Sequence, residues 1–130
     1  RIAVLATLHG SGSPQISPIW YRYSEGRVTM STVTATVKSR NILRDGRASV
    51  CVYSEPEDFE YATLSGTATV VDDDSLWPET RAIVDRYELP EDADARMRRL
   101  EHQDRVILSL EVDRVLFSRS DGRKGSRVSG

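Results

Sequence analysis

The chain has 130 residues, a formal net charge of −2, 38% hydrophobic residues and 29% charged residues. Those values fit one globular domain with a single core; they exclude a disordered chain and a wholesale basic nucleic-acid binder. No apolar run approaches the roughly 18 residues of a membrane span, and a single cysteine, Cys51, excludes a disulfide framework within one chain.

The absence of a signal-peptide pattern and the lone cysteine point to a reducing cytoplasm. The start at Arg1, without Met, points to an upstream segment that is missing. Ile2–Leu8 is rich in β-formers and ends at the turn run HGSGSP, which predicts a first strand. Gln15–Tyr23 alternates, with Ile16, Ile19 and Trp20 as bulky members; Pro18 cannot donate to a ladder and marks an edge or a bulge. Ser24, Glu25 and Gly26 read as a hairpin turn into a strand over Val28–Ser31. Thr36–Asp45 has the pattern of a short helix with Val37, Ile42 and Leu43 as its buried positions, stopped at Asp45–Gly46. Ala48–Tyr53 is almost continuously apolar and predicts a central strand, with Cys51 as a buried structural residue.

Tyr61–Asp72 alternates strictly, placing Ala62, Leu64, Ala68 and Val70 on one face, and Gly66 marks a bend or a close backbone approach. Asp72–Asp74 and Ser75 form an acidic cap before a helix over Leu76–Tyr87, with Pro78 early enough to be tolerated. A more polar helix follows over Glu91–Leu100, and Arg105–Phe117 returns to strand. Residues 119–130 read as a mobile Gly/Ser/Arg tail after a single domain over residues 1–118. Six or seven antiparallel strands with few helices favour a small β-barrel, and no βαβ rhythm supports a Rossmann sheet.

The segment Arg27–Arg44 carries the chemistry. It reads as a strand, a Thr/Ser-rich turn, and a helix that opens with Lys38, Arg40 and Asn41. Cations are unfavourable at a helix start, where the macrodipole is positive. Beside free backbone N–H groups and hydroxyls they become favourable once an anion fills the site. This is a candidate phosphate cradle, although the chain has neither a Walker A loop nor a glycine fingerprint after a strand. The competing reading of Lys38, Arg40 and Asn41 is a solvated helix face, and that of Ser31 and Thr32 is a strand end passing into a turn.

Three pieces in order carry a family resemblance: LATLHGSGSPQISPIWYRYSEGRVTMST, then VKSRNILRDGRASVCV, then YATLSGTATVVDD. Together the chain resembles the pyridoxamine 5'-phosphate oxidase-like split β-barrel flavoproteins, and most closely the branch that uses the deazaflavin coenzyme F-420. The resemblance implies a mainly β split barrel of the FMN-binding type, working as a homodimer with cofactor sites along the subunit interface. Ser31, Thr32, Lys38, Arg40 and Asn41 would hold the cofactor phosphate, and Ile16, Ser17 and Pro18 would offer backbone groups to its ring. Thr36 stands where some relatives carry an arginine, which removes one charge from the cradle. The implied activity is hydride transfer between reduced F-420 and an unsaturated or quinone-like small molecule. FMN is the alternative cofactor, and a non-catalytic flavin, deazaflavin or haem binder is the alternative class.

No metal cluster, nucleic-acid site or membrane segment is expected. His9 and His102 are isolated, Arg44 and Arg47 read as surface charges, and Trp77 reads as a packing anchor. Trp20, Tyr23 and Tyr61 stand between ring pocket, core and interface. The basic tail, Arg119–Arg127, is either a free terminus or an arm closing on a bound cofactor.

Overall fold

The computed structural model describes residues 2–54 and 60–119; of the expected tail, residues 119–130, all but Arg119 lie outside them. Strands β1 (Ala3–Leu8), β2 (Pro14–Ile19), β3 (Arg22–Ser24) and β4 (Arg27–Val33) precede helix α1 (Val37–Arg44). Strands β5 (Arg47–Tyr53) and β6 (Glu60–Val71), helices α2 (Leu76–Asp85) and α3 (Pro90–Leu100), and strand β7 (Arg105–Arg119) follow. The seven strands form one antiparallel sheet in the order β2-β1-β5-β6-β7-β4-β3.

That order explains why the barrel is split. β2 and β3 are the two outer strands of the sheet, yet only Trp20 and Tyr21 separate them in the chain. Three peptide links reach about 11 Å at most. The sheet must therefore roll until its edges nearly meet, without a ladder between them. The expected single segment Gln15–Tyr23 is accordingly two strands with a corner, and Pro18 lies on an edge strand, the place in a sheet where proline is tolerated.

The corner is pinned from outside. The Trp20 ring stacks on Tyr87 at a centroid distance of 4.6 Å and an interplanar angle of 7°. The Tyr21 N–H donates to the Tyr87 hydroxyl at 3.2 Å, and Arg86 donates to the Tyr21 carbonyl while lying 4.5 Å over the Tyr21 ring. Helix α2 stops at Asp85, two residues before its expected end, which releases Tyr87 for this stack.

Alternation divides the sheet into an inner and an outer face. Leu5, Val28, Met30, Val50, Ala68, Leu108 and Leu110 fill the interior. Leu76 and Ile83 of α2 pack with Ile107 on the outer face, where Trp77 joins them. β7 passes between both layers, so Val106 to Leu110 are all buried, which explains why all but Ser109 are apolar. Arg22 clamps α2 from β3: its Nε and Nη2 donate to the Glu79 carboxylate at 2.8 and 2.7 Å, and Thr29 adds a hydroxyl donor at 2.5 Å. The β3–β4 turn is a two-residue hairpin with positive φ at Glu25 (52°) and Gly26 (79°), as its right-handed twist requires.

On β6 the expected alternation holds: Leu64, Ala68 and Val70 face the interior core. Gly66 is both a bend and a close approach. The register shifts between Ser65 and Gly66, leaving Asp113 of β7 without a partner opposite it, and a Cβ on Gly66 would sit 1.9 Å from the Glu111 carbonyl oxygen. β7 continues to Arg119, beyond the expected end at Phe117, because Arg119 pairs with Glu60 in register and in a 3.2 Å ion pair. Cys51 is half-buried rather than buried.

Helix α1 departs most from expectation. Ile42 is buried, but Val37 and Leu43 are 39% and 67% exposed, and the other buried positions are Ser39 and Asn41. An eight-residue helix lying close to β1 accommodates small polar groups beside Ile42 at its contact face, and Val37 and Leu43 are turned outward.

Gly66→Ala should destabilise the fold by at least about 1–3 kcal/mol, because backbone must move to admit the methyl group; thermal unfolding checks this. The Arg22 hydrogen bonds hold the Glu79 carboxyl below the ordinary glutamate range, against the opposing effect of burial. A carboxyl depressed in the folded state contributes stability above its unfolded value, and loses it as pH falls through the folded one. Stability should therefore drop below about pH 4.5, and Glu79→Gln should flatten that drop. The same variant should cost about 1–2 kcal/mol near neutrality, with Arg22 one-third exposed at 35%.

Candidate functional site at the start of helix α1

The site begins with the cap of α1. Thr36 has extended backbone angles (φ −68°, ψ 156°), and its hydroxyl accepts from the Ser39 N–H. The same hydroxyl donates to the Val33 carbonyl at 3.0 Å and lies 3.4 Å from the Thr32 hydroxyl. The first turn contains no acidic residue. Among the described residues, the N–H groups of Val37 and Lys38 have no protein acceptor. Lys38 is half-buried, has no carboxylate partner among those residues, and burial pushes its ammonium below the ordinary lysine range. Arg40 is exposed and likewise without a carboxylate among the described residues. Two free N–H groups and a partly desolvated ammonium thus stand at the positive end of a helix, while Arg40, two residues on from Lys38, projects from a different side of it.

Asn41 lies below this surface. It is buried; its Nδ2 donates to the Thr7 hydroxyl at 3.0 Å, and its Oδ1 accepts from Arg44 Nη2 at 2.7 Å. Thr7 in turn donates to Gln15 Oε1 at 3.3 Å, and Arg44 also caps the Leu8 carbonyl at 2.8 Å. A polar chain therefore runs from α1 through β1 to β2. Sequence reasoning missed Thr7, Gln15 and Arg44 as members. The available signal was Thr7, the polar third member of the inward series Ala3, Leu5, Thr7.

The remaining expected residues divide between places. Ile16, Ser17 and Pro18 lie on β2, an edge strand whose outer backbone groups are unpaired in the sheet; Ile16 is 61% exposed. β1 pairs with β2 and also receives α1, so it joins the two halves. Ser31 and Thr32 are not brought together: adjacent strand residues face opposite ways. Thr32 is buried beside Thr36, whereas Ser31 meets Thr80 of α2 at 3.1 Å.

A second feature is the open end of the barrel. A cavity of about 230 Å³ there is lined by Tyr21, Tyr23, Val28, Val50, Val52, Ala62 and Leu64. Beyond the Gly66 bulge, Val115, Leu116 and Phe117 are exposed at 56%, 39% and 59%. Val115 and Phe117 share the face of Leu64 and Ala62, opposite which they pair, while Leu116 faces the other way. Among the described residues, no helix is long and apolar enough to cross a membrane.

A rolled antiparallel sheet whose two edge strands nearly meet without a ladder defines a split-barrel protein. The chain belongs to the pyridoxamine 5'-phosphate oxidase family, whose model matches residues 1–119. Among solved structures it is similar to a conserved hypothetical protein of Mycobacterium tuberculosis (21% identity, TM-score 0.76), covering 100% of this chain and 85% of that one. It is also similar to an F-420 reductase (23%, TM-score 0.68), covering 88% of each chain. A third similar structure is a haem-binding protein of Mycobacterium smegmatis (26%, TM-score 0.72), which it matches over 95% of its own length and 50% of that chain.

Asn41→Ala should lower the stability of the ligand-free protein by about 1–3 kcal/mol, because it leaves Thr7 buried without its donor. Thermal unfolding without any ligand measures this, and an unchanged midpoint would show that the chain from Arg44 to Gln15 contributes nothing to the fold.

Proposed function

We propose that this protein is an F-420-dependent oxidoreductase that works as a homodimer on a small-molecule substrate. The observation that carries the reading is the start of α1, where a half-buried Lys38 has no carboxylate among the described residues. The donor set fits a phosphate. The N–H groups of Val37 and Lys38 and the Lys38 ammonium would hold it, with the Thr32 hydroxyl beside Thr36. Ser31 faces α2 and stands outside this set, and Asn41 positions the helix from beneath. The edge of β2 at Ile16, Ser17 and Pro18 would offer backbone groups to the ring.

When bound, the reduced deazaflavin supplies a hydride for an unsaturated or quinone-like acceptor. The chain's share is to bind, orient and exclude water. A second copy seated on Val115 and Phe117 would cover that exposed apolar face and enclose the open end of the barrel. The structural likeness to an F-420 reductase supports this cofactor, and the family match leaves FMN as its competitor. The likeness to a haem-binding protein favours a second reading, a non-catalytic binder.

Fluorescence titration separates these readings. F-420 should bind more tightly than FMN, and Lys38→Ala should weaken it by roughly tenfold to a hundredfold, the equivalent of a charge-assisted contact of about 1.5–3 kcal/mol. Stronger FMN binding would move the protein to the flavin branch. A Soret band on haem addition, with no turnover of either reduced cofactor, would favour the binder. Binding unaltered by Lys38→Ala would remove the helix start from the account.

A further inference from the structure

A cavity of about 150 Å³ lies between α2, α3 and the outer face of the sheet, away from α1. Its polar lining is Ser31, Thr80, Arg96 and Arg105, and Trp20 and Leu100 contribute apolar wall. The volume equals that of about five waters.

Two guanidiniums border this space, but only one is balanced. Arg96 pairs with Glu88 at 2.7 Å and lies 4.7 Å over the Trp20 ring. Arg105 has no carboxylate partner among the described residues; its Nε donates to Ser31 Oγ at 3.2 Å, and its Nη1 to Gln103. Its Nη2 has no acceptor among those residues; within the Arg96–Glu88 pair, the Arg96 Nε and the Glu88 Oε2 are both buried without a hydrogen-bond partner there, so that pair offers the cavity no net charge. Ser31 and Thr80 share one hydrogen bond of 3.1 Å, and either can donate, so one hydroxyl hydrogen of the pair remains available. Burial pushes the Arg105 guanidinium below the ordinary arginine range. A partly desolvated cation without a counter-ion is costly, and an anion offsets that cost.

The charge count selects the anion. Arg96 and Glu88 cancel, and Arg105 leaves a single positive charge. A dianion would be half-compensated against an apolar wall. We infer that this cavity binds a small monocarboxylate, its two oxygens meeting the free Arg105 donor and the Ser31–Thr80 pair, and its apolar tail packing on Leu100, Ile83 and the edge of Trp20. This site is independent of the cofactor reading: it shares neither Lys38 nor the edge of β2.

The test titrates the full chain with isovalerate, its neutral amide isovaleramide, and inorganic phosphate at constant ionic strength. Tryptophan fluorescence reports on Trp20, in a Trp77→Phe background. Isovalerate should saturate, while the amide and phosphate bind at least about tenfold more weakly. Arg105→Gln should weaken isovalerate at least about tenfold, and Leu100→Phe, which fills the cavity without touching a charge, should do the same. Lys38→Ala should leave it unchanged. Should Arg105→Gln fail to fold, Leu100→Phe decides. Absence of saturable isovalerate binding, equal or tighter binding of phosphate or the amide, or full affinity in Leu100→Phe would each overturn the inference.

Discussion

Trp20 and Tyr21 carry the chain from one edge of a seven-stranded sheet to the other, and the rest of the architecture depends on that short crossing. With a reach of about 11 Å, the sheet has to roll, and rolling creates the interior that Leu5, Met30, Val50, Leu108 and Leu110 fill. The crossing contributes no ladder of its own, so its position depends on side chains. Tyr87 and Arg86, at the end of α2, hold its backbone and its rings. Helix α2 is thereby a strap across the seam, tied at its other turn by Glu79 to Arg22 and Thr29.

A second division follows from Gly66. The bulge there separates a stretch of β7 buried on both faces from a stretch with Val115, Leu116 and Phe117 exposed. The first belongs to the barrel; the second is an apolar strand without cover in a single chain. The open end, with Tyr21 and Tyr23 at its rim, adjoins the same half of β6 through Ala62 and Leu64. The proposal that two copies complete one another rests on this surface.

Much of the fold was legible because the strands obey simple periods. β6 alternates, β5 is nearly continuous, and β7 is mostly apolar where both faces are covered. Gly66 and Pro18 announced their roles through what their backbones can and cannot do. The corner at Trp20 was not legible, because a two-residue break does not interrupt the alternation of side chains. The face of α1 was misread for a different reason. Its buried positions include Ser39 and Asn41, and Asn41 is satisfied by Thr7, 34 residues away. Hydrophobic pattern records apolar burial and is blind to polar burial of this kind. The cationic start of α1 was legible as chemistry, since Lys38 and Arg40 stand against the dipole. That adjacent Ser31 and Thr32 serve opposite faces follows from strand geometry. Which of them faces α1 needed the packing of Thr80.

The central claim is that the start of α1 receives the cofactor's phosphate. Its most direct test is amide chemical-shift mapping during titration with F-420. The account predicts the largest shifts at the N–H groups of Val37 and Lys38, with lesser shifts along β2. Large shifts confined to other parts of the fold, with Val37 and Lys38 unmoved at saturation, would contradict it.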